Sequence, residues 1–193
     1  MKLDWQKKRI KKIALETKKF CKDKKCSILD VGCFDRYLEK MLPKNISYKG
    51  VDINKNADIM CDLNSGKIPT KEKFDVVICS EIFEHILNPK KLLEEMKRVM
   101  KDKAIGIITI PNENHIKTRL RRLFNLKYDH LVFSSNPQHH IHSPRIIEGI
   151  KFVSSEFKII KKDYTTVNNI SAVLSKISPS LFARGTMMVV VKK

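Results

Sequence analysis

The stretch SILDVGCFDR, residues 27–36, determines the fold that the sequence predicts. An apolar run reaches Asp30, passes through one glycine, Gly32, and continues into residues 36–42, whose apolar side chains recur at helical spacing. This order is typical of a buried strand, a tight turn and a helix. In open α/β sheets such junctions line the carboxyl edge of the strands, where ligands bind. The stretch therefore predicts an α/β domain with a ligand site beside Gly32.

Outside this stretch the chain alternates between strand-like and helix-like segments. Further runs have the apolar character of strands, at residues 46–52, 57–62, 73–80, 104–110, 157–164 and 186–191. Helical patterns cover residues 1–25, residues 88–100, which begin with an Asn-Pro pair suited to a helix start, and the segment after Ser143-Pro144. This alternation predicts a three-layer, Rossmann-like, doubly wound α/β sheet that is mostly parallel.

We expect a single domain over residues 1–193, because this length suits one hydrophobic core. Residues 1–25 predict a basic N-terminal helix in which Ile10 and Ile13 belong to an apolar stripe. Residues 112–142 interrupt the alternation with a long, polar, histidine-bearing segment. Long insertions at this place in an α/β fold are usually functional, so we predict a lid over the substrate site.

The net charge is strongly positive. The chain has 39 Lys and Arg residues against 21 Asp and Glu residues, a formal net charge of +18. That excess suits a nucleic acid, an anionic lipid surface or a phosphorylated substrate. A generally lysine-rich composition accounts for it equally well, because the lysines are scattered along the whole chain. The charge therefore leaves a nucleic-acid partner open without requiring one.

Hydropathy and cysteine usage indicate where the protein works. The longest apolar run, residues 104–110, is far shorter than the roughly 20 residues that span a bilayer. The N-terminal residues lack the apolar segment of a signal peptide. The five cysteines form no C-x-x-C pair, and three of them lie in or beside predicted strands, which suits reduced thiols. We therefore predict a cytoplasmic protein without a membrane span.

Three aspartates fall at the ends of the first three predicted strands: Asp30, Asp52 and Asp62. The carboxyl ends of parallel strands lie side by side, so these acids should meet along one edge of the sheet. An acid about 20 residues past a glycine turn can accept both hydroxyls of a ribose. The third acid can accept from the exocyclic amine of adenine, and the first from a ligand ammonium. Each alone suits a solvated loop carboxylate, whereas three in register favour a ligand.

Several segments, taken in order, resemble the motifs of class I S-adenosylmethionine-dependent methyltransferases of the methyltransferase type 11-like kind. They are ILDVGC at residues 28–33, YKGVD at 48–52, CDL at 61–63, FDVVICSEIFEHI at 74–86, IPN at 110–112 and HIHS at 140–143. The resemblance covers roughly residues 26–192. It implies S-adenosyl-L-methionine as the cofactor and a seven-stranded sheet whose last strand is antiparallel to the others.

The resemblance also implies roles for individual residues. Gly32 and Cys33 would form the turn beneath the methionine moiety of the cofactor, with Asp30 beside its amino group. The other implied cofactor contacts are Phe34 over its edge, Asp52 at the ribose, Ile53, Asp62 and Leu63 at the adenine, and Ser80 and Glu81 at the methionine end.

Two positions depart from the family pattern, which prefers glycine where this chain has Phe34 and Arg36. Glycine permits a positive φ and a close approach of the backbone to a ligand. We predict an ordinary turn at Phe34, with its ring stacked over the edge of the cofactor. Arg36 would either cover the methionine carboxylate or crowd it, so the departure concerns cofactor affinity more than the fold.

Catalysis of methyl transfer requires mainly alignment and desolvation of the acceptor. A general base is needed only if the acceptor is a hydroxyl or a protonated amine, and the candidate bases are His85 and His140. We expect no metal site, because His139, His140 and His142 have no cysteine or acid close to them in the sequence.

The leading hypothesis is methyl transfer to a small molecule, a glycan or a lipid precursor bound under residues 112–142. The alternative is a nucleic-acid methyltransferase, RNA included, which the basic residues Arg119, Arg121 and Arg122 favour. A third hypothesis is a degenerate cofactor-binding protein that regulates a partner, and it rests on the altered glycine loop. A nicotinamide-dependent oxidoreductase fits least well, since the Gly-x-Gly-x-x-Gly fingerprint is absent.

Overall fold

The computed structural model describes residues 2–22, 24–124, 126 and 140–193. Within them the strands of one sheet are β1 Ser27–Val31, β2 Ser47–Asp52, β3 Ile59–Met60, β4 Phe74–Ser80, β5 Met100–Pro111, β6 Phe157–Thr165 and β7 Gly185–Lys192. The helices are α1 Lys2–Phe20, α2 Pro89–Val99, α3 Ile116–Leu123, α4 Ile146–Ser154, α5 Asn169–Ile177 and α6 Pro179–Phe182. Short 3₁₀ helices occupy Glu39–Met41, Leu63–Ser65 and Phe83–His85.

The strand order across the sheet is β3-β2-β1-β4-β5-β7-β6. β1 pairs in parallel with β2 and β4, β2 with β3, and β4 with β5. β7 lies between β5 and β6 and runs antiparallel to both. The predicted seven-stranded, mostly parallel sheet with an antiparallel last strand is therefore confirmed. The strand order reverses between β1 and β4, although the two strands are parallel, and this is where doubly wound folds bind ligands.

Alternate residues of the central strands enter two separate cores. In β4, Val76 and Ile78 pack on the face that α1 covers, together with Ile13. Val77 packs on the opposite face, where α2 contributes the fully buried Leu92 and α4 closes the core. The alternation follows from the two-residue period of a strand. It produces the three layers that the sequence predicts.

Residues 36–42 do not form the predicted α-helix. They form turns around the 3₁₀ helix Glu39–Met41 instead. The backbone of Arg36 is left-handed, with a φ of 55°, and Pro43 follows the segment directly. A left-handed residue at one end and a proline at the other leave too few residues for an α-helix.

Two element boundaries also differ from the prediction. The third strand, expected over residues 57–62, is limited to Ile59–Met60, because only these two residues pair with β2. The helix expected to begin at Ser143-Pro144 begins at Ile146, and Arg145 is its N-cap. The backbone N–H of Arg145 donates to the Glu148 carboxylate at 2.9 Å, so Glu148 caps the first turn of the helix.

The cysteines divide into two groups. Cys21 and Cys26 form a disulfide that links the end of α1 to the start of β1. Cys33, Cys61 and Cys79 are free thiols. The expectation of reduced cysteines therefore agrees with the three that lie in or beside the strands and fails for this pair.

The predicted insertion at residues 112–142 is described in part. α3, Ile116–Leu123, confirms the basic helical piece expected around residues 117–124. Residues 125 and 127–139 lie outside the described residues, so the role of the insertion as a lid stays a prediction. Among the residues that the structure describes, no helix is both long enough and apolar enough to cross a bilayer.

Candidate active site

The turn after β1 depends on Gly32. Its φ of +80° lies in the left-handed region that favours glycine, and its N–H donates to the Val51 carbonyl at 2.7 Å. A Cβ atom at this position would lie 2.0 Å from Ile82 Cδ1. A side chain at this position would therefore be strained by the backbone conformation and would have to displace the Ile82 side chain. The turn lies at the carboxyl edge between β1 and β4, as the sequence predicts.

Phe34 and Arg36, where the family prefers glycine, both have left-handed backbones, with φ values of 45° and 55°. The prediction of an ordinary turn at Phe34 is therefore wrong. This conformation costs a residue with a side chain on the order of 1 kcal/mol. The Phe34 N–H donates to Asp52 Oδ2 at 2.9 Å, and the Arg36 N–H donates to the Cys33 carbonyl at 2.8 Å. The loop thus keeps a glycine-type geometry without glycine at these two positions.

The Arg36 side chain is held by groups of the protein itself. Its guanidinium forms ion pairs with Glu39 and Asp58, each at 2.8 Å. It also lies 5.2 Å from the centroid of the Tyr48 ring. Asp58 in turn accepts from the Gly50 N–H of β2 at 2.8 Å. These contacts tie Arg36 to β2, so a methionine carboxylate is not needed to hold the guanidinium in place.

Asp30 is buried at the end of β1 and accepts a hydrogen bond from the Tyr48 hydroxyl at 2.7 Å. Burial raises the pKa of Asp30 to about 6, because the charged form loses its hydration, while the hydrogen bond from Tyr48 opposes the rise. Burial and the adjacent Asp30 carboxylate raise the pKa of the Tyr48 hydroxyl. An ammonium group beside Asp30 would favour its ionised form, so this position suits a bound cation.

Asp52 ends β2 and organises the loops around it. One carboxylate oxygen accepts from the Phe34 N–H and the other from the Asn54 N–H, both at 2.9 Å. Each oxygen has a second lone pair, so the carboxylate can also accept from hydroxyls. The neighbouring Ile53 side chain is 70% exposed and offers an apolar surface for a flat ring. The predicted positions for a ribose and an adenine are therefore adjacent.

Asp62 and Leu63 follow β3 and have structural roles of their own. Asp62 Oδ1 accepts from the Asn64 N–H at 2.9 Å and so caps the following 3₁₀ helix. Leu63 is buried in the core. The Cys61 N–H donates to the Asp52 carbonyl at 2.9 Å, which joins the end of β3 to the end of β2. The structure thus brings Asp52 and Asp62 to one edge, as predicted.

Ser80 and Glu81 lie at the end of β4. Ser80 Oγ is 3.0 Å from Thr109 Oγ1 of β5. Glu81 has a left-handed backbone, with a φ of 56°, and its carboxylate pairs with Arg9 of α1 at 2.8 Å. Burial raises the pKa of Glu81, and Arg9 opposes the rise. The sequence does not single out Arg9, because nothing near it distinguishes one basic residue of α1 from the others.

A second group of titratable side chains lies just past Glu81. Glu84 is 1% exposed, and neither of its carboxylate oxygens has a hydrogen-bond partner among the described residues. His85 Nε2 lies 3.9 Å from Glu84 Oε1, and the His85 and His140 rings meet edge to face with centroids 4.8 Å apart. His140 Nδ1 lies 2.9 Å from Glu113 Oε1. The two predicted catalytic histidines therefore come together around buried acids.

This grouping corrects the reason given for expecting no metal site. Acids that are distant from His140 in the sequence, Glu113 among them, come close to it in the fold. Burial and the neighbouring Glu81 carboxylate raise the pKa of Glu84 well above its ordinary value. His142 is held elsewhere, with its Nε2 atom 2.9 Å from a backbone carbonyl, and His139 lies outside the described residues.

A cavity of about 290 Å³ adjoins Glu84. Its walls are mainly apolar and come from the 3₁₀ helix Phe83–His85, the start of α2, the end of β5, and α4 with the segment before it. The lining includes Phe83, Glu84, Ile110, His142, Pro144 and Phe152. Apolar walls with a few polar groups are typical of small-molecule sites.

Comparisons with known proteins identify the family and the fold. A family model described as a methyltransferase domain matches residues 5–156, whereas no curated protein matches the sequence. The structure is similar to N-methyltransferase NodS from Bradyrhizobium japonicum WM9 in complex with S-adenosyl-L-homocysteine. The two chains are 9% identical with a TM-score of 0.64, and the match covers 98% of this chain and 88% of NodS.

Two further solved structures share the architecture. Magnesium protoporphyrin IX methyltransferase ChlM from Synechocystis PCC 6803, with bound S-adenosyl-L-homocysteine, is 13% identical with a TM-score of 0.67, over 98% of this chain and 84% of ChlM. The small RNA methyltransferase HEN1 is 14% identical with a TM-score of 0.69, over 97% of this chain and 25% of HEN1. At these identities the likeness establishes the fold.

The family match is broader than the likeness of any one motif. It extends from α1 past the end of α4, and it includes the turn after β1, the strand-end acids and the Glu84 group. It covers well over half of the 193 residues. The chain therefore belongs to the methyltransferase domain family, and its fold is that of class I S-adenosylmethionine-dependent methyltransferases.

Proposed function

We propose that this protein is an S-adenosylmethionine-dependent methyltransferase acting on a small molecule, a glycan or a lipid precursor. The observation that carries the proposal is the carboxyl edge of β1 and β2. There a buried acid, Asp30, is followed by the left-handed Gly32 and then by the partly exposed Asp52. This order suits a ligand whose amino acid lies beside Asp30 and whose ribose lies beside Asp52. The S-adenosyl-L-homocysteine bound to NodS and ChlM supports this choice of cofactor.

In this proposal the cofactor spans the edge from β4 to β3. Asp30 meets its ammonium, Asp52 accepts from its ribose hydroxyls, and Ile53 packs against its adenine. The remaining proposed contacts are Gly32 and Cys33 beneath the methionine moiety, Phe34 over its edge, Asp62 and Leu63 at the adenine, and Ser80 and Glu81 at the methionine end. The 61% exposure of the Phe34 ring supports its part, because the ring is open to a ligand.

The acceptor would bind in the cavity beside Glu84, covered by residues 112–142. The volume of about 290 Å³ suits a small molecule or the terminal group of a larger one. S-adenosylmethionine supplies a methyl group on a sulfonium, and the protein contributes alignment and exclusion of water. If the acceptor is a hydroxyl, its proton needs an acceptor nearby, for which His85 and His140 are the candidates.

RNA is the second candidate acceptor. The basic residues of α3, Arg119, Arg121 and Arg122, favour it, and one structural neighbour is a small RNA methyltransferase. RNA binding whose affinity falls steeply between low and physiological salt would promote this candidate. Absence of RNA binding at low salt would remove it.

Calorimetry tests the cofactor assignment. We expect the wild type to bind both S-adenosylmethionine and S-adenosylhomocysteine, and Asp52→Ala to bind each at least about tenfold more weakly, or about 1.4 kcal/mol. Asp102→Ala is the matched control, because the Asp102 side chain is 95% exposed on β5, and it should bind like the wild type. Absence of binding by the wild type would contradict the enzyme proposal and favour a degenerate regulatory protein. Binding that survives Asp52→Ala would contradict the ribose assignment.

A further inference from the structure

We propose that Glu84, His85 and His140 form a binding site for one divalent first-row transition-metal ion. One donor atom from each of the three residues lies within 4.8 Å of the other two. Two imidazoles and one carboxylate are a donor set that such ions bind with coordination positions left open. Cysteine does not take part, so the set does not resemble a closed structural zinc site.

The state of Glu84 is the independent observation that points to a cation. Its side chain is 0% exposed, and no described residue donates a hydrogen bond to either carboxylate oxygen. Burying a carboxylate without hydrogen bonds is strongly unfavourable, so native proteins pair such groups or use them to coordinate metals. A bound ion supplies the missing compensation.

The backbone around Glu84 holds the three ligands together. Glu84 and His85 belong to the 3₁₀ helix Phe83–His85, in which the His85 N–H donates to the Ile82 carbonyl at 2.9 Å. The Glu84 carbonyl accepts from the N–H groups of Ile141 and His142 at 2.8 and 3.0 Å. These two hydrogen bonds fix the segment that carries His140 against the 3₁₀ helix.

Glu113 acts on the site through His140. Its Oε1 atom lies 2.9 Å from His140 Nδ1. A carboxylate beside one ring nitrogen orients a metal-binding histidine and presents the other nitrogen to the ion. We therefore assign Glu113 as a positioning residue rather than a ligand.

The donor distances are consistent with closure onto an ion. Metal–ligand bonds of about 2.0–2.2 Å hold neighbouring donor atoms roughly 3 Å apart. His85 Nε2 and Glu84 Oε1 are 3.9 Å apart, and no pair in the group exceeds 4.8 Å. Closure onto an ion therefore requires the donor atoms to move towards one another.

A metal at this site would also change the role of His85 and His140 as candidate proton acceptors. This part of the inference rests on the proposed function. As ligands they hold the ion and no longer serve as proton acceptors. An ion held there would supply a Lewis acid that lowers the pKa of a hydroxyl acceptor positioned by the protein. Metal binding itself does not depend on the cofactor, so the metal site and the proposed function can be tested separately.

Cobalt titration of the full chain, treated with chelator and kept free of cofactor, tests the site. We expect one equivalent of Co²⁺ to bind with a change in visible absorption, and Zn²⁺ to displace it. Glu84→Gln and His140→Gln should each weaken binding at least tenfold, and Glu113→Gln should weaken it by roughly ten- to a hundredfold. The matched control Glu94→Gln, on the exposed face of α2, should bind like the wild type.

Two results would overturn the proposal. One is the absence of saturable one-to-one binding by the wild type, and the other is binding by Glu84→Gln and His140→Gln that equals that of the wild type. Circular dichroism checks that each variant folds. If Glu84→Gln does not fold, His85→Gln and His140→Gln decide whether the metal site exists, because both histidines are partly exposed. Calorimetry with S-adenosylhomocysteine on the same metal-free protein reports separately on the cofactor site.

Discussion

The carboxyl group of Asp30 should make the stability of the protein depend on pH between about 4 and 6. The pKa of Asp30 is about 6 in the folded protein, against an ordinary value of 3.8. An acid with a raised pKa binds its proton more tightly in the folded state. Its contribution to stability is therefore fully present below pH 3.8 and is lost as the pH rises through 6. The difference between these two pKa values corresponds to about 3 kcal/mol in the free energy of unfolding.

Urea unfolding of the wild type and of Asp30→Asn, followed from pH 4 to 7.5, measures this effect. Asparagine keeps the shape of the side chain and can still accept from Tyr48. Other acids, such as Asp75 beside Lys101, have lowered pKa values and change the stability in the opposite sense. The difference between wild type and variant removes their contribution. We expect the variant to gain about 2.5 kcal/mol relative to the wild type between pH 4 and pH 7.5. A constant difference for Asp30→Asn would refute the conclusion that burial controls this carboxyl.

The same site leads to three further predictions. Affinity for S-adenosylmethionine should rise as the pH increases through 6 and Asp30 ionises, and calorimetry should find this dependence lost in Asp30→Asn. Gly32→Ala should lower the free energy of unfolding by at least about 2 kcal/mol, because alanine is strained at this positive φ and its Cβ would contact Ile82. An unchanged midpoint in chemical denaturation would contradict this. Phe34→Gly should be about 1 kcal/mol more stable than Phe34→Ala, because both remove the exposed ring and only alanine keeps the left-handed strain. Equal denaturation midpoints of these two variants would show that the loop relaxes.

The fold was largely predictable because its main determinants are local. The unbroken apolar centre of β4 indicates a strand buried on both faces, and residues 76–79 are fully buried. The Asn-Pro pair before α2 marks the helix start correctly, since Asn88 caps the helix and Pro89 begins it. The prediction failed at residues 36–42, where the left-handed backbone of Arg36 is imposed by the turn rather than by the residue type.

The candidate site was predictable only in part, and the reason is again physical. Asp30 and Asp52 follow from the sequence because an acid that directly follows a strand must lie at the sheet edge. The pairing of Arg9 with Glu81 joins residues far apart in the chain, and no periodicity encodes it. The meeting of Glu84 with His140 has the same origin, because it depends on how the segment before α4 returns to the end of β4.

The chain as a whole is basic, whereas acidic residues gather around Glu84. The chain carries a formal net charge of +18, yet Glu81, Glu84 and Glu113 lie in mutual electrostatic contact, countered among the described groups by Arg9 and His140. An ionised carboxylate in this group repels a phosphate and attracts a cation, whereas burial favours the neutral forms of Glu81 and Glu84. In the proposed function, where the acceptor binds beside Glu84, the charged part of an anionic acceptor would bind to the basic residues of α1 or α3 and its uncharged reacting group would lie beside Glu84. In this proposal the basic residues attract the acceptor, and the buried acids favour an uncharged group as the site of methylation.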